Sequence, residues 1–70
     1  MTRHPPLDPD RLVEALDVAG PTTVLDVASA LRARPGTVWR HLRALERAGR
    51  VRRAGLVRGR GRPAALWAVA

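Results

Sequence analysis

Arginine side chains dominate the second half of this 70-residue chain. Residues 32–70 contain eleven Arg and one acidic residue, a net charge of +10, whereas residues 1–31 contain two Arg and five acidic residues, a net charge of −3. The planar guanidinium donates paired hydrogen bonds to phosphates and to the edges of guanines. A basic half on a small protein is typical of a domain that binds a polyanion. We therefore expect a nucleic acid as the partner.

The best-spaced candidate contact residues lie between residues 34 and 47. Val38, Leu42 and Leu45 recur at helical spacing and predict the buried stripe of a helix over residues 35–48. The start of that helix and its opposite face supply the candidates for DNA contacts, which are Arg34, Gly36, Thr37, Trp39, Arg40, Arg43 and Arg47.

Two of these arginines are the best candidates for reading base edges, because a bidentate arginine–guanine pair is the commonest specific contact. They are Arg40 and Arg43. The alternative is a solvated helix face on which they pair with Glu46. Thr37 lies near the helix start, where hydroxyl and backbone N–H groups meet phosphate, and Gly36 allows the backbone to approach DNA closely.

Two aromatic side chains near this basic face need separate interpretation. Trp39 either stacks on a sugar or a thymine methyl group or packs against the segment that follows the helix. His41 lies beside the buried stripe and is interpreted as a half-buried structural histidine. The chain has two distant histidines and no cysteine, so it lacks the ligands for a zinc site.

A second basic segment follows the helix. Residues 51–57 and 64–69 predict two strands, the first bent at Gly55 and the second with Trp67 and Val69 on one face. The loop between them reads Arg58-Gly59-Arg60-Gly61-Arg62-Pro63, and its arginines either rest on phosphates or enter a minor groove, as in an AT-hook. The candidate contacts from this segment are Arg52, Arg53, Arg58, Arg60 and Arg62.

Two further helices precede the basic half. Start and stop signals predict them over residues 9–19 and 24–31, with Asp8 and Thr23 as N-caps and Gly20 after the first. Thr22 and Thr23 can add a short strand, and Gly49 is the expected C-cap of the third helix. We expect a flexible leader over residues 1–7 and one domain over residues 8–70.

The stretch from Val24 to Val69 resembles the winged helix-turn-helix domains of bacterial MarR-, ArsR- and PadR-type repressors. The resemblance rests on Val27-Ala28-Ser29-Ala30-Leu31 and on the run from Arg34 through His41-Leu42 to Gly49-Arg50-Val51. The chain departs from the family at Arg34, Gly36 and Arg50, where a serine, a hydroxyl residue and an apolar residue are usual. The resemblance implies a mainly α fold of three helices plus a two-stranded wing.

The expected function is sequence-specific binding of double-stranded DNA by a transcriptional regulator, with residues 35–48 in the major groove. The alternatives are a DNA-architectural or accessory factor in recombination or plasmid maintenance, and a winged helix used to bind proteins. No catalytic motif, cofactor, small-molecule ligand or membrane segment is expected, and the expected location is cytoplasmic, at the nucleoid. A homodimer could form through the acidic first helix or through Leu66, which is expected to be exposed.

Overall fold

Three helices followed by an antiparallel hairpin make up the fold. The structure is a computed structural model that describes residues 7–58 and 61–70. Its elements are α1 (Pro9–Ala19), α2 (Val24–Leu31), α3 (Pro35–Arg47), β1 (Val51–Val57) and β2 (Ala64–Val69). This mainly α architecture with a two-stranded wing confirms the expected fold class. No helix in the described ranges has both the length and the apolar character needed to cross a membrane.

Side-chain caps set the starts of the first two helices, as the sequence predicts. The Asp8 carboxylate accepts a hydrogen bond from the backbone N–H of Asp10 at 2.9 Å. The Thr23 hydroxyl accepts one from Asp26 at 3.2 Å. Each bond satisfies a backbone donor that the helix itself leaves free. Arg34 makes no such bond at the start of α3, where Pro35 occupies the first turn.

The end of α3 differs from the prediction by one residue. The helix ends at Arg47, Ala48 is the C-cap, and Gly49 follows with a φ of 76°. The N–H groups of Gly49 and Arg50 donate to the carbonyls of Glu46 and Leu45 at 3.0 and 2.9 Å. This pair of bonds is a Schellman motif, which requires a left-handed residue just beyond the cap and therefore favours glycine there.

The core draws side chains from every element. The predicted stripe of α3 is confirmed, and the cluster consists of Leu12, Leu16, Val27, Ala28, Val38, Leu42, Leu45, Val51 and Trp67. Trp67 is the largest fully buried side chain, with 1% of its surface exposed. Leu7 packs against this cluster, and the rest of the expected leader, residues 1–6, lies outside the described residues. A chain without Phe or Tyr thus builds its core from aliphatic side chains around one indole.

A β-bulge shapes the wing. Arg53 pairs with Trp67 and Gly55 pairs with Leu66, so Ala54 is an extra residue without a partner on β2. Because of this extra residue, Leu56, which pairs with Ala65, lies on the same face of the hairpin as Arg53. The irregularity that the sequence predicts at Gly55 is a bulge whose extra residue is the neighbouring Ala54.

The expected exposure of Leu66 is wrong, since this side chain is half-buried. The bulge sets Leu66 opposite Gly55, and its Cδ1 would lie 3.9 Å from a Cβ built on that glycine. The missing glycine side chain leaves room for Leu66 to lie against the hairpin. Leu66 is therefore a poor candidate for a dimer contact.

The loop before α2 ties the helices to the wing. Thr22 forms a bridge with Trp67, in which each backbone N–H donates to the other residue's carbonyl at 3.0 and 2.7 Å. The expected strand at Thr22 and Thr23 is thus one residue long, because Thr23 caps α2 instead. At the opposite edge, Arg50 forms an ion pair with Asp10 of α1 at 2.8 Å. These contacts hold the wing against α1 and the loop before α2.

Candidate nucleic-acid interface

The third helix has a buried face and a basic face. Val38 and Leu42 have no exposed surface, and Leu45 is also buried. On the other side of the helix, Trp39, Arg40 and Arg47 are exposed, as the sequence predicts. Burial of the aliphatic stripe therefore determines which arginines point to solvent. α2 packs against α3 and supports it in this orientation.

Most of the predicted contact arginines have no ion pair among the described residues. Within residues 7–58 and 61–70, ion pairs occupy only three of the arginines, namely Arg43, Arg50 and Arg53. The exposed arginines without an ion pair among the described residues include Arg34, Arg40, Arg47, Arg52, Arg58 and Arg62. Arg60 of the predicted wing tip lies outside the described residues. A guanidinium without an ion pair can bind a phosphate or a base without first breaking a contact inside the protein.

Arg43 is in a different position from Arg40. Its Nε lies 3.7 Å from Glu46 Oε1, and its guanidinium lies over the Trp39 ring, 5.1 Å from the centroid. That distance to Glu46 is too long for a hydrogen bond, and the Arg43 Nε is buried without a hydrogen-bond partner among the described residues. Of the two candidate base-reading arginines, Arg40 has no ion pair among the described residues and Arg43 is paired with Glu46.

Glu46 joins the third helix to the wing. Its carboxylate also lies 3.3 Å from the Nε of Arg53 in β1, and the Arg53 guanidinium lies over Trp67, 5.0 Å from the ring centroid. Sequence spacing predicted the pairing of Glu46 with Arg43 as an alternative but gave no link to Arg53. The sequence feature that could have indicated this link is that Glu46 is the only acidic residue in residues 32–70, among eleven arginines.

A cleft lies between α2, α3 and the wing. It has a volume of about 420 Å³ and is lined by Val24, Leu25, Trp39, Arg43, Arg53, Ala64, Ala65 and Trp67. Trp39 lines this cleft opposite Ala64 and Ala65 of the wing. Its side chain is 47% exposed, so about half of its surface remains accessible to a ligand. Both sequence interpretations of Trp39, contact with DNA and contact with the wing, are compatible with this position.

The start of α3 combines an open glycine with a half-buried threonine. An added Cβ at Gly36 would meet nothing within 4 Å, so the surface beside it is open to a ligand. The Thr37 carbonyl accepts a hydrogen bond from Nδ1 of His41 at 2.8 Å, which requires the Nδ1-protonated ring. His41 is half-buried, in agreement with its interpretation as a structural residue.

Sequence reasoning missed the apolar part of the wing. Leu56 is 69% exposed and Val57 is 41% exposed, next to Arg58. The strand pattern predicted β1 but not its burial, because the helices cover only the half of the hairpin nearest to them. No cluster of potential metal ligands occurs within the part of the chain that the structure describes.

Comparisons with known proteins agree with this architecture. The family model for bacterial regulatory proteins of the arsR family matches residues 10–53, which run from α1 into β1. No curated protein matches the chain.

Several solved chains match this fold, among them two Zalpha domains. The Zalpha domain of Carassius auratus PKZ, determined in complex with Z-DNA, superposes with a TM-score of 0.71 and 21% identity, covering 89% of this chain and 90% of that chain. The apo-Zalpha domain of zebrafish PKZ has a TM-score of 0.71 and 30% identity, covering 87% of this chain and 88% of that chain. With the arsR match extending over more than half of its residues, the chain belongs to the arsR family of bacterial regulatory proteins and is a DNA-binding winged helix-turn-helix domain.

Proposed function

We propose that this protein is a transcriptional regulator that binds double-stranded DNA at specific sequences, with α3 in the major groove. The observation that carries the proposal is the two-sided character of α3. Burial of Val38 and Leu42 turns Arg40 and Arg47 outward as unpaired cations among the described residues. A helix of this kind, supported by a second helix, is the element that helix-turn-helix proteins place in the major groove.

Arg40 is the proposed reader of a base edge. Its side chain is exposed and has no ion pair among the described residues, so contact with guanine O6 and N7 breaks nothing in the free protein. Loss of one such bidentate contact costs about 1–3 kcal/mol of discrimination. Arg43 is the proposed second reader, and it must first leave Glu46.

The rearrangement of Arg43 is inexpensive. Exposed ion pairs contribute about 0–1 kcal/mol, and the Arg43 side chain is 38% exposed. Its buried Nε has no hydrogen-bond partner among the described residues, so outward movement gives this donor access to water or to a base. Outward movement also removes Arg43 from the Trp39 ring, a contact that contributes about 0.5–1 kcal/mol at an exposed site. The resting position of Arg43 is therefore a small obstacle to a DNA contact.

The other candidate residues are proposed to hold the DNA backbone. Thr37 and the backbone at Gly36 lie at the start of α3, where N–H groups meet phosphate. The proposed phosphate contacts from arginine are Arg34, Arg47, Arg52, Arg53, Arg58, Arg60 and Arg62. Arg58, Arg60 and Arg62 belong to the wing tip, which lies on the backbone or in the minor groove.

The proposed assembly is a homodimer on two half-sites about one helical turn apart. With Leu66 half-buried, α1 is the better candidate for the dimer contact, and Val18 on this helix is 83% exposed. A regulator of this kind acts at the nucleoid in the cytoplasm. Sedimentation with and without DNA measures the stoichiometry, and a single copy per operator would contradict the dimer.

A DNA-architectural factor is the second candidate, and the exposed apolar end of the wing favours it. Proteins that bend DNA insert apolar side chains between base steps of the minor groove, and Leu56 is a 69% exposed side chain beside Arg58. The Zalpha domain of Carassius auratus PKZ, which has the same fold, was determined in complex with Z-DNA. The binding assay therefore includes a left-handed duplex as well as B-form DNA.

The test begins with selection of bound sequences from a random duplex library. Fluorescence anisotropy then measures the affinity of the wild type, Arg40→Ala and Arg11→Ala for the selected duplex and for a scrambled one. Arg11 is the matched control, because it is exposed on α1 and carries the same charge. We expect Arg40→Ala to reduce the ratio of the two affinities by about 5- to 150-fold, which corresponds to one lost base contact.

Three outcomes separate the candidates. An equal loss on both duplexes would contradict base reading by Arg40. Selection of no sequence, with tight and strongly salt-dependent binding to all duplexes, would favour the architectural factor. Preference for the left-handed duplex would replace major-groove reading with recognition of duplex shape.

A further inference from the structure

The cleft between α3 and the wing contains both tryptophans of a chain that has no Phe or Tyr. Trp67 forms part of the buried floor, whereas Trp39 stands at the edge with 47% of its surface exposed. Leu25, beside it, is 68% exposed. Exposure of these apolar side chains in one concavity is unfavourable in water. A ligand with flat apolar faces would cover them.

The charges around the cleft argue against a phosphate as its occupant. Arg43 and Arg53 each lie over an indole ring, at 5.1 and 5.0 Å from the centroid, and both are already paired with Glu46. The cleft therefore presents stacked planar groups and a single surplus positive charge. Arginines suited to phosphates lie outside it, at Arg47 and Arg52, which have no ion pair among the described residues.

We propose that this cleft binds an unpaired DNA base, which stacks on Trp39 while the free arginines around it hold the adjacent backbone. The faces of a base are covered by its neighbours within an intact duplex, so only a base that has left the stack can enter. Proteins that hold single-stranded DNA combine a basic groove for the backbone with aromatic side chains on which the bases stack. Ala64 and Ala65 form the wing side of the cleft, and their small side chains leave the space open.

This inference rests on the proposed function, because the same helix and wing hold the duplex around the unpaired base. It specifies a preferred substrate, namely a duplex with a bulged or looped-out base. The free-energy cost of leaving the stack is lowest for a base that has no pairing partner. We expect the wild type to bind such a duplex about 5- to 150-fold more tightly than one without a base at the same position, from the strength of base–aromatic stacking.

The experiment compares three DNAs by fluorescence anisotropy. They are an intact duplex, the same duplex with one bulged 2-aminopurine, and the same bulge with an abasic residue. The abasic bulge keeps the backbone distortion and removes only the base. We expect tighter binding of the bulged base than of the abasic bulge, and quenching of 2-aminopurine fluorescence as it stacks.

Two variants and a control assign the effect to the cleft. Trp39→Leu keeps an apolar side chain but removes the ring, and Ala64→Leu fills the cleft from an exposed strand position outside the core. Both should lose the preference for the bulged base over the abasic bulge, and Ala64→Leu should keep its affinity for the intact duplex. Ala30→Ser, at an exposed position of α2 that does not line the cleft, should leave both unchanged. Circular dichroism confirms that each variant is folded.

The results separate this inference from the proposed function. Equal affinity of the wild type for the bulged base and the abasic bulge would overturn the inference while leaving duplex binding intact. A preference that survives in both Trp39→Leu and Ala64→Leu would also overturn it, because the base would then lie elsewhere. Failure to bind any of the three DNAs would contradict the proposed function itself.

Discussion

Glu46 is the residue whose replacement tests most directly how the third helix and the wing are held together. Glu46→Gln keeps the shape of the side chain and removes the charge that faces Arg43 and Arg53 at 3.7 and 3.3 Å. It also removes the only acidic side chain of residues 32–70. The substitution should therefore lower the stability of the fold and raise the affinity for DNA at low salt, two effects of opposite sign.

The magnitude follows from the exposure of the three side chains. Glu46 is 33% exposed, and its partners Arg43 and Arg53 are 38% and 50% exposed, so water screens both pairs. Pairs in such surroundings contribute about 0.2–1 kcal/mol each. Loss of both is expected to lower the free energy of unfolding by about 1 kcal/mol, which lowers the Tm of a domain of this size by about 4–8 °C.

Thermal unfolding followed by circular dichroism measures this change against Glu14→Gln. Glu14 is an exposed residue of α1 that makes no ion pair among the described residues. Both substitutions raise the net charge equally, so a difference between them reports the contacts of Glu46. A double-mutant cycle of Glu46→Gln with Arg53→Gln isolates the coupling between helix and wing.

Two results would refute this reasoning. Equal Tm values for Glu46→Gln and Glu14→Gln would show that the ion pairs of Glu46 do not stabilise the fold. A coupling free energy near zero between Glu46 and Arg53 would show that the carboxylate does not link α3 to β1 in solution.

Three further substitutions test the local structure. Arg32→Gly should stabilise the fold by about 1 kcal/mol in thermal unfolding, because Arg32 has a φ of 53° that is costly for a residue with a Cβ; an unchanged Tm would contradict the left-handed turn. Thr23→Ala should destabilise it by about 1 kcal/mol through loss of the N-cap bond to Asp26, whereas Thr22→Ala, which keeps its backbone bridge, should have a smaller effect. Gly36→Ala should raise the Tm, because alanine favours the helix by about 0.5–1 kcal/mol and its Cβ meets nothing within 4 Å. The same substitution should weaken DNA binding in anisotropy, because the added Cβ blocks close approach of the backbone to DNA. Unchanged affinity would exclude that close approach.

The helices were predictable from the sequence because local signals define them. Asp8 and Thr23 have the side chains that cap helix starts, Gly20 stops α1, and the apolar spacing identifies the buried faces. The end of α3 was misplaced by one residue, since the Schellman motif puts Gly49 beyond the cap rather than at it. Such details depend on two backbone bonds that no residue type specifies alone.

The candidate interface was predictable only in part. The exposed position of Arg40 follows directly from helical spacing, once the stripe at Val38 and Leu42 is buried. The contact of Glu46 with Arg53 joins separate elements, and the bulge at Ala54 reverses the face on which Leu56 lies. Both depend on how the wing packs against α3, which hydrophobic periodicity within either element does not specify.

The central claim is that the exposed face of α3 and the wing together bind duplex DNA. Titration of the isotope-labelled protein with a B-form duplex, followed through the backbone amide signals, tests it most directly. The account predicts shifts at Gly36, Arg40 and Arg47 and along the wing, with little change at the acidic residues of α1. Shifts confined to α1, or none at low salt, would contradict it.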